Sequence, residues 1–309
     1  MFKKLVIIFV VLCSVTAAFS QQEAMFTHYS YNTLGVNPAY AGSRNALTMT
    51  ALHRSQWVGF EGAPTTQTFT AHSPFYNEAV NIGLSFLNDK IGPVNNTGLF
   101  VDYAFRFKLT EKSKLALGVK MGFNAYGFDL ASLHSADPND PATNISGRSF
   151  SPNFGVGAYY STDKFYVGLS TPKLFKNNYH YEVSSLSSGL SIEERHFYTI
   201  IGGVIRLSDD VELKPTSFMK VTKGAPVEGD VTASLIFYEK VHAGLMYRTG
   251  DAVGALIGYA INEQLFAGYS FDWSFVAQTG LHNAGSHEVV LQYDFIFNHI
   301  KRIRSPRYF

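Results

Sequence analysis

The residue types that do chemistry are present, but their spacing argues against an enzyme. The chain carries ten histidines. His287-Glu288 opens like a zinc-protease motif, yet Leu291 stands where the second histidine is needed. A strand also does not aim two imidazoles at one ion as a helix does. No Gly-x-Ser-x-Gly elbow occurs. Gly155 and Gly157 lie within an alternating run, not at a strand-to-helix turn, so they make no phosphate loop. Asp137 and Asp140 flank a proline, and so short a span gathers too few oxygens for calcium; it reads as a solvated loop. No sequence pairing supports a Ser/His/Asp set, which is recognised by geometry alone. The expectation is no enzyme, no metal and no cofactor, with a hydrolase whose residues meet only in space kept as an alternative.

A second set of residues is more orderly. Arg54, Gln56, Asp102, Arg106, Lys108, Lys120, Asp272 and Asp294 all fall on the polar side of apolar–polar alternation. Such a set either fills a narrow interior with salt bridges or lines a selective channel. Which of these holds depends on the elements that carry the residues.

Those elements are strands. In Lys114 to Tyr126, Leu115, Leu117, Val119, Met121 and Phe123 share one face, while Ala116, Gly118, Lys120 and Gly122 share the other. In Gly98 to Lys108, Leu99, Val101, Tyr103, Phe105 and Phe107 oppose Asp102 and Arg106. Val289, Leu291, Tyr293 and Phe295 oppose Glu288, Gln292 and Asp294. Period-two alternation places these sets on opposite sides of a sheet. About fourteen such segments of roughly ten residues occur, the length a tilted strand needs to cross a bilayer. An even number is expected to put both termini on the periplasmic side. The segments Ala131 to Arg148 and Asn177 to Arg195 read as long outer loops.

Compartment agrees with this reading. Lys3 and Lys4, the apolar run Leu5 to Leu12 and the Ala18-Phe19-Ser20 step form a secretory signal over residues 1–20. Residues 21–309 then make one barrel domain, with 21–45 a periplasmic or lumen-plugging lead-in. The only cysteine, Cys13, lies in the signal, so the exported chain has no disulfide. Only 16% of residues are charged and 15% are aromatic, and no apolar run after Ser20 is long enough for a spanning helix. An exported membrane chain without spanning helices has one architecture open to it, an antiparallel β-barrel. A net charge of +1 points to no nucleic-acid partner.

The most specific stretch runs from Asn37 to Pro74. Asn37-Pro38-Ala39-Tyr40-Ala41-Gly42-Ser43 is expected at the periplasmic rim. Thr48, Thr50, Leu52, Arg54 and Gln56 should face the lumen. Leu47, Met49, Ala51 and Trp57 should face lipid, with Trp57 in the outer aromatic girdle. Trp57 to Pro64 forms the first outer turn, and Thr66, Thr68, Thr70 and His72 return along the lumen.

These residues also carry a resemblance. Phe26-Thr27-His28-Tyr29, the Asn37 to Ser43 block, Arg54-Ser55-Gln56-Trp57, Gly59-Phe60, Gly62-Ala63-Pro64 with Thr66, Gly285-Ser286-His287-Glu288 and the closing Ser305 to Phe309 together resemble the PorP/SprF family of Bacteroidetes outer-membrane proteins. Thr27-His28 departs from the pattern, where a glutamine ahead of the tyrosine is expected. The resemblance implies a component or companion of the type IX secretion system, sometimes linked to gliding motility. It implies outer-membrane lipid, secretion components and a secreted cargo or adhesin as partners. It brings no catalytic residues. The function expected is docking of cargo at the outer loops; the alternative is a transport barrel for small or hydrophobic solutes.

Overall fold

The computed structural model describes residues 23–76, 78–130, 146–184, 187–276 and 283–295. Fourteen of the described strands close into an antiparallel barrel. In chain order they begin with β1 (Leu47–Ser55), β2 (Thr65–Tyr76), β3 (Val80–Ile91) and β4 (Val94–Thr110). Next come β5 (Ser113–Asp129), β6 (Ser146–Thr162) and β7 (Phe165–Thr171). A separate hairpin, β8 (Asn178–Ser184) with β9 (Ser187–Ile192), follows, and β10 (His196–Gly203) rejoins the wall beside β7. A two-residue strand, β11 (Ile205–Arg206), continues the line of β10. The wall is completed by β12 (Val211–Thr222), β13 (Glu228–Phe237), β14 (Val241–Arg248), β15 (Ala252–Ala260), β16 (Leu265–Ser274) and β17 (Ser286–Phe295). The ring closes where β17 pairs β1, with Leu47 opposite Phe295 and Arg54 opposite Glu288. Closure leaves the transmembrane wall no free edge.

Alternation builds the wall as expected. In β1 Thr48, Thr50, Leu52 and Arg54 are buried inward, and in β4 Phe100, Asp102, Ala104 and Arg106 are. The outward set stays uncovered: Val101 is 58% exposed, Met121 64% and Leu245 70%. A broad apolar exterior over a polar interior is the pattern of a barrel in lipid, the inverse of a soluble one. Among the described residues no helix is long and apolar enough to cross a membrane, which bears only on helices.

One end carries tight turns, such as Tyr238-Glu239 with both φ angles positive at 52° and 57°. The other end carries the longer connections, including 56–64 and 172–195. Short turns mark the periplasmic end of such barrels. β4, β5 and β6 have 17 residues each, against about 9–11 for a crossing. β5 and β6 remain paired out to Asp129–Ser146, whereas β6 and β7 pair only between Val156–Thr171 and Ser161–Tyr166. This hairpin therefore projects past β7 on one side, while on the other β4 follows β5 out to Val94–Phe128. It takes part of the expected outer loop Ala131 to Arg148 into strand; residues 131–145, with Asp137 and Asp140, lie outside the described residues, as do residues 1–22. The segment Asn177 to Arg195 holds the β8–β9 hairpin.

Residues 23–46 run through the inside of the barrel. Glu23 meets Lys173 near the outer end, and Arg44 meets Asp294 at the periplasmic end. Between them lie α1 (Thr33–Val36) and a 3-10 turn over Pro38–Tyr40. Tyr29, Leu34, Ala39, Tyr40 and Ala41 pack against inward wall residues Ala104, Ala116, Tyr159, Tyr166, Ile200 and Phe218. The lumen thus contains the hydrophobic core that the wall cannot build on its lipid side. One wall glycine makes this packing fit: a Cβ on Gly118 would stand 2.3 Å from the Ala39 nitrogen.

Candidate functional site

The Asn37 to Gly42 block lies inside the lumen, in its periplasmic half, not at the rim. Asn37 is fully buried; its Oδ1 accepts from the Ala39 N–H at 3.0 Å and its Nδ2 donates to the Ala158 carbonyl at 3.1 Å. The Asn37 side chain thereby caps the turn that Pro38 opens. Tyr40 sets its ring edge-on to His72 and Tyr159. Gly42 takes φ +68°, and a Cβ there would meet Asn81 Oδ1 at 2.0 Å. The reason for the displacement from the rim is packing. The small residues of this block allow backbone to press on backbone, and the wall glycines face that contact.

The inward charges expected to make one network fall into groups, each fastening something. Arg54 Nη1 reaches Asp272 Oδ2 at 2.7 Å and Glu288 Oε2 at 3.1 Å. Glu288 also accepts from the backbone N–H groups of Thr27 (3.0 Å) and His28 (2.6 Å) and meets His28 Nδ1 at 2.9 Å. Thr27 Oγ1 donates to Asp272 at 2.7 Å. Asp272 stands 3.8 Å from Arg248, which is held bidentately by Asp230 at 2.9 and 2.8 Å. Lys120 pairs Asp102 at 2.8 Å, with Ser85 bonded to both. Asp294 is held by Arg44 at 2.9 Å and by the Thr48 hydroxyl at 2.6 Å. Arg106 donates to Asn45 Oδ1 at 2.9 Å and so holds the lead-in. Lys108 is not inside: it is exposed and pairs Glu111 across the periplasmic turn.

The first outer turn and the start of β17 meet at the closing seam. Val58 N–H donates to the Gly285 carbonyl at 2.9 Å, Ala284 N–H returns to Val58 at 2.7 Å, and Trp57 N–H donates to Ser286 Oγ at 3.2 Å. Gly59 and Gly62 turn the chain with φ +94° and +73°, Phe60 N–H donates to Trp57, Ala63 N–H donates to Phe60, and Gln56 N–H closes on the Pro64 carbonyl. Trp57 was expected in the lipid-facing girdle; it lines the lumen cavity instead. Regular alternation ends at Ser55, and a φ of +47° at Trp57 rotates the next side chain out of the strand pattern. Gln56 lines the same cavity.

That cavity, about 770 Å³, occupies the outer half of the lumen, beside residues 23–26 of the lead-in and next to Asn32, Gly35 and Val36. Met25, Phe26, Phe86, Phe100, Tyr126 and Tyr198 are among its walls. On one side Lys173 bridges Glu23 at 2.7 Å and Glu193 at 2.9 Å, and Tyr198 donates to Glu23. Burial alone would raise the Glu23 carboxyl, but Lys173 and His196 outweigh it and hold it well below the usual carboxylate range. Burial would likewise lower Lys173, and the two carboxylates hold it above its ordinary value. Among the described residues no three His, Cys, Asp or Glu side chains are placed to hold a metal ion.

Residues 18–293 match the family described as type IX secretion system membrane protein PorP/SprF. The chain belongs to that family. No curated protein matches it. Solved structures similar to this PorP/SprF chain include the CymD monoaromatic hydrocarbon channel, with TM-score 0.49, 11% identity and coverage of 87% of this chain and 100% of that one. A Pseudomonas aeruginosa FadL homologue gives TM-score 0.47 and 13% identity, covering 84% and 93%. The outer membrane protein Omp33 of Acinetobacter baumannii gives 0.47 and 10%, covering 81% and 99%.

Arg44, Arg248, Asp230 and Glu23 of this PorP/SprF chain carry no signal in the expectations above, and Glu288 and His28, named there, are given no charge partner. The alternation in β17 already places Glu288 inward. Asp230–Arg248 and Asp102–Lys120 are direct cross-strand partners within hairpins. Hairpin register was therefore the unused signal for those two pairs.

Proposed function

We propose that this PorP/SprF protein is a sealed outer-membrane barrel that assists secretion or surface anchoring of a partner cargo protein by docking it, the cargo being a gliding adhesin or similar secreted protein. Its signal segment, residues 1–20, is removed on export. Outer features hold the cargo: the tall β5–β6 hairpin, the β8–β9 hairpin and the cavity mouth. The periplasmic turns meet the secretion machinery. The observation that carries this reading is the filled lumen: residues 23–46 occupy it and are tied to the wall at both ends. A blocked interior serves binding better than flux.

The test is co-purification from outer membranes of cells carrying the whole chain or a chain lacking 178–192, with planar-bilayer conductance measured on the same preparations. Docking expects a secreted partner retained by the whole chain, reduced retention without the hairpin and no steady conductance. A large constant conductance with no partner retained would refute it. The second reading, passage of small hydrophobic solutes, has the apolar walls of the outer cavity in its favour. Uptake of an aromatic hydrocarbon into liposomes distinguishes it.

A further inference from the structure

The outer cavity has a chemical character that the filled lumen does not require. Its volume, about 770 Å³, falls within the roughly 300–1,000 Å³ that encloses a small ligand or a few side chains. Its walls are mainly apolar and aromatic. Among the described residues, six carboxylates, three Lys or Arg side chains and His196, which lies beside Glu23, line it. The three cations are already engaged: Lys120 by Asp102, Lys173 by Glu23 and Glu193, and Arg248 by Asp230. Asp89 differs from the other carboxylates. It accepts one hydrogen bond, from Thr66 Oγ1 at 2.6 Å, and is in no ion pair among the described residues.

Hydrogen-bonding capacity is left over as well. Thr68 and His196 line the cavity and are only 7% and 4% exposed, yet Thr68 Oγ1 and His196 Nδ1 have no partner among the described residues. Asn96, also in the wall, has its Oδ1 unpartnered. Buried polar atoms without partners are costly, and a ligand that supplies both N–H donors and C=O acceptors, as a peptide backbone does, relieves that cost. An apolar body, a positive charge and several N–H groups together describe a peptide better than a simple amine.

We propose that the outer cavity is a receptor site for a cationic, largely apolar peptide segment, whose Lys or Arg side chain pairs with Asp89 while its apolar side chains fill the aromatic walls. This rests on the docking reading and names the part of a cargo that the barrel grips. The outer turn 249–251 and the connection holding Lys173 line the cavity, and the proposed segment enters from the cell surface.

The test uses the whole barrel in phosphatidylcholine nanodiscs and a fluorescein-labelled hexapeptide alternating leucine and lysine, with empty nanodiscs as the blank. The same peptide with glutamate in place of lysine, and hexylamine as a competitor, are the comparisons. Saturable binding of the lysine peptide is expected, with the glutamate peptide at least about tenfold weaker. Asp89→Asn should weaken the lysine peptide by about tenfold, the scale of one charged hydrogen bond, and should not weaken the glutamate peptide. Thr68→Phe, which fills the cavity, should weaken both. Heat-modifiable gel mobility verifies that each variant is folded. Equal affinity for the two peptides, an unaltered affinity in folded Asp89→Asn, or displacement of the peptide by equimolar hexylamine would overturn the proposal. Cargo co-purification separates this from the reading beneath it. Cargo retained in full by Asp89→Asn defeats the cavity proposal and leaves docking standing; no cargo retained by the unaltered chain defeats docking itself.

Discussion

Glu288→Ala should release the lead-in from the lumen without dismantling the barrel. The Glu288 carboxylate accepts from two lead-in backbone N–H groups, contacts His28 Nδ1 and pairs with Arg54. Removing it leaves both N–H groups buried without acceptors, at about 1–3 kcal/mol each. It also strips one of two partners from a buried guanidinium; loss of a whole pair costs about 3–5 kcal/mol. Arg54 keeps Asp272 at 2.7 Å, so the charge contribution falls below that range. The two N–H groups alone amount to about 2–6 kcal/mol against the seated lead-in, a shift of roughly one and a half to four powers of ten in its release equilibrium. Thr33→Cys is a suitable reporter because Thr33 is 2% exposed and the chain's only cysteine is Cys13. Maleimide labelling of Thr33→Cys should be slow in the otherwise unaltered barrel and faster by that factor in the Glu288→Ala background. Stepwise bilayer conductance should accompany it. Glu288→Gln keeps one acceptor oxygen and should lie between. Unchanged labelling in a folded Glu288→Ala barrel would refute the claim that this carboxylate fastens the lead-in.

Three other outcomes follow from the same geometry. Gly118→Val brings a side chain against the Ala39 backbone, where even a Cβ would stand at 2.3 Å; it should destabilise the seated block by about 1–3 kcal/mol, read by the same labelling. Leu245→Arg places a charge at a 70% exposed outward position in the middle of β14, and should cost about 2–4 kcal/mol in urea unfolding from lipid vesicles. Glu23 is held below its usual value of 4.5. Its contribution is therefore fully present above that pH and declines as pH falls towards the folded value. Protection of the lead-in should weaken on acidification from about pH 6 to about pH 3, and Lys173→Met should flatten that dependence. A steeper profile in Lys173→Met would contradict the assigned cause.

The wall was legible because its signal is local. In β4, Val101, Tyr103 and Phe105 alternate with Asp102, Ala104 and Arg106, and no distant residue is needed to see two faces. The charge partners were legible only in part. Asp102 and Lys120 face each other across one hairpin, so the turn sets their register. Arg54 and Glu288 are also direct partners, but across the closing seam between the first and last strands. No local pattern specifies which residue of β17 meets which residue of β1. Trp57 escaped the alternation because the strand ends at Ser55 and Trp57 itself takes a left-handed φ.

What the sequence by itself determined is the set of strands, their inward and outward faces, and the family carried by the blocks at 37–43, 54–64 and 285–288. Those depend on side-chain period and turn residues, which act over a few positions. The course of residues 23–46 was decided only in the tertiary structure. That segment has no alternation and lies inside because Tyr29, Leu34 and Tyr40 find apolar wall residues there, and because Glu288, Asp294 and Arg106 bond to it from strands far along the chain. Closing the wall creates that interior, and only a closed interior can make the lead-in a plug and leave a cavity beside it.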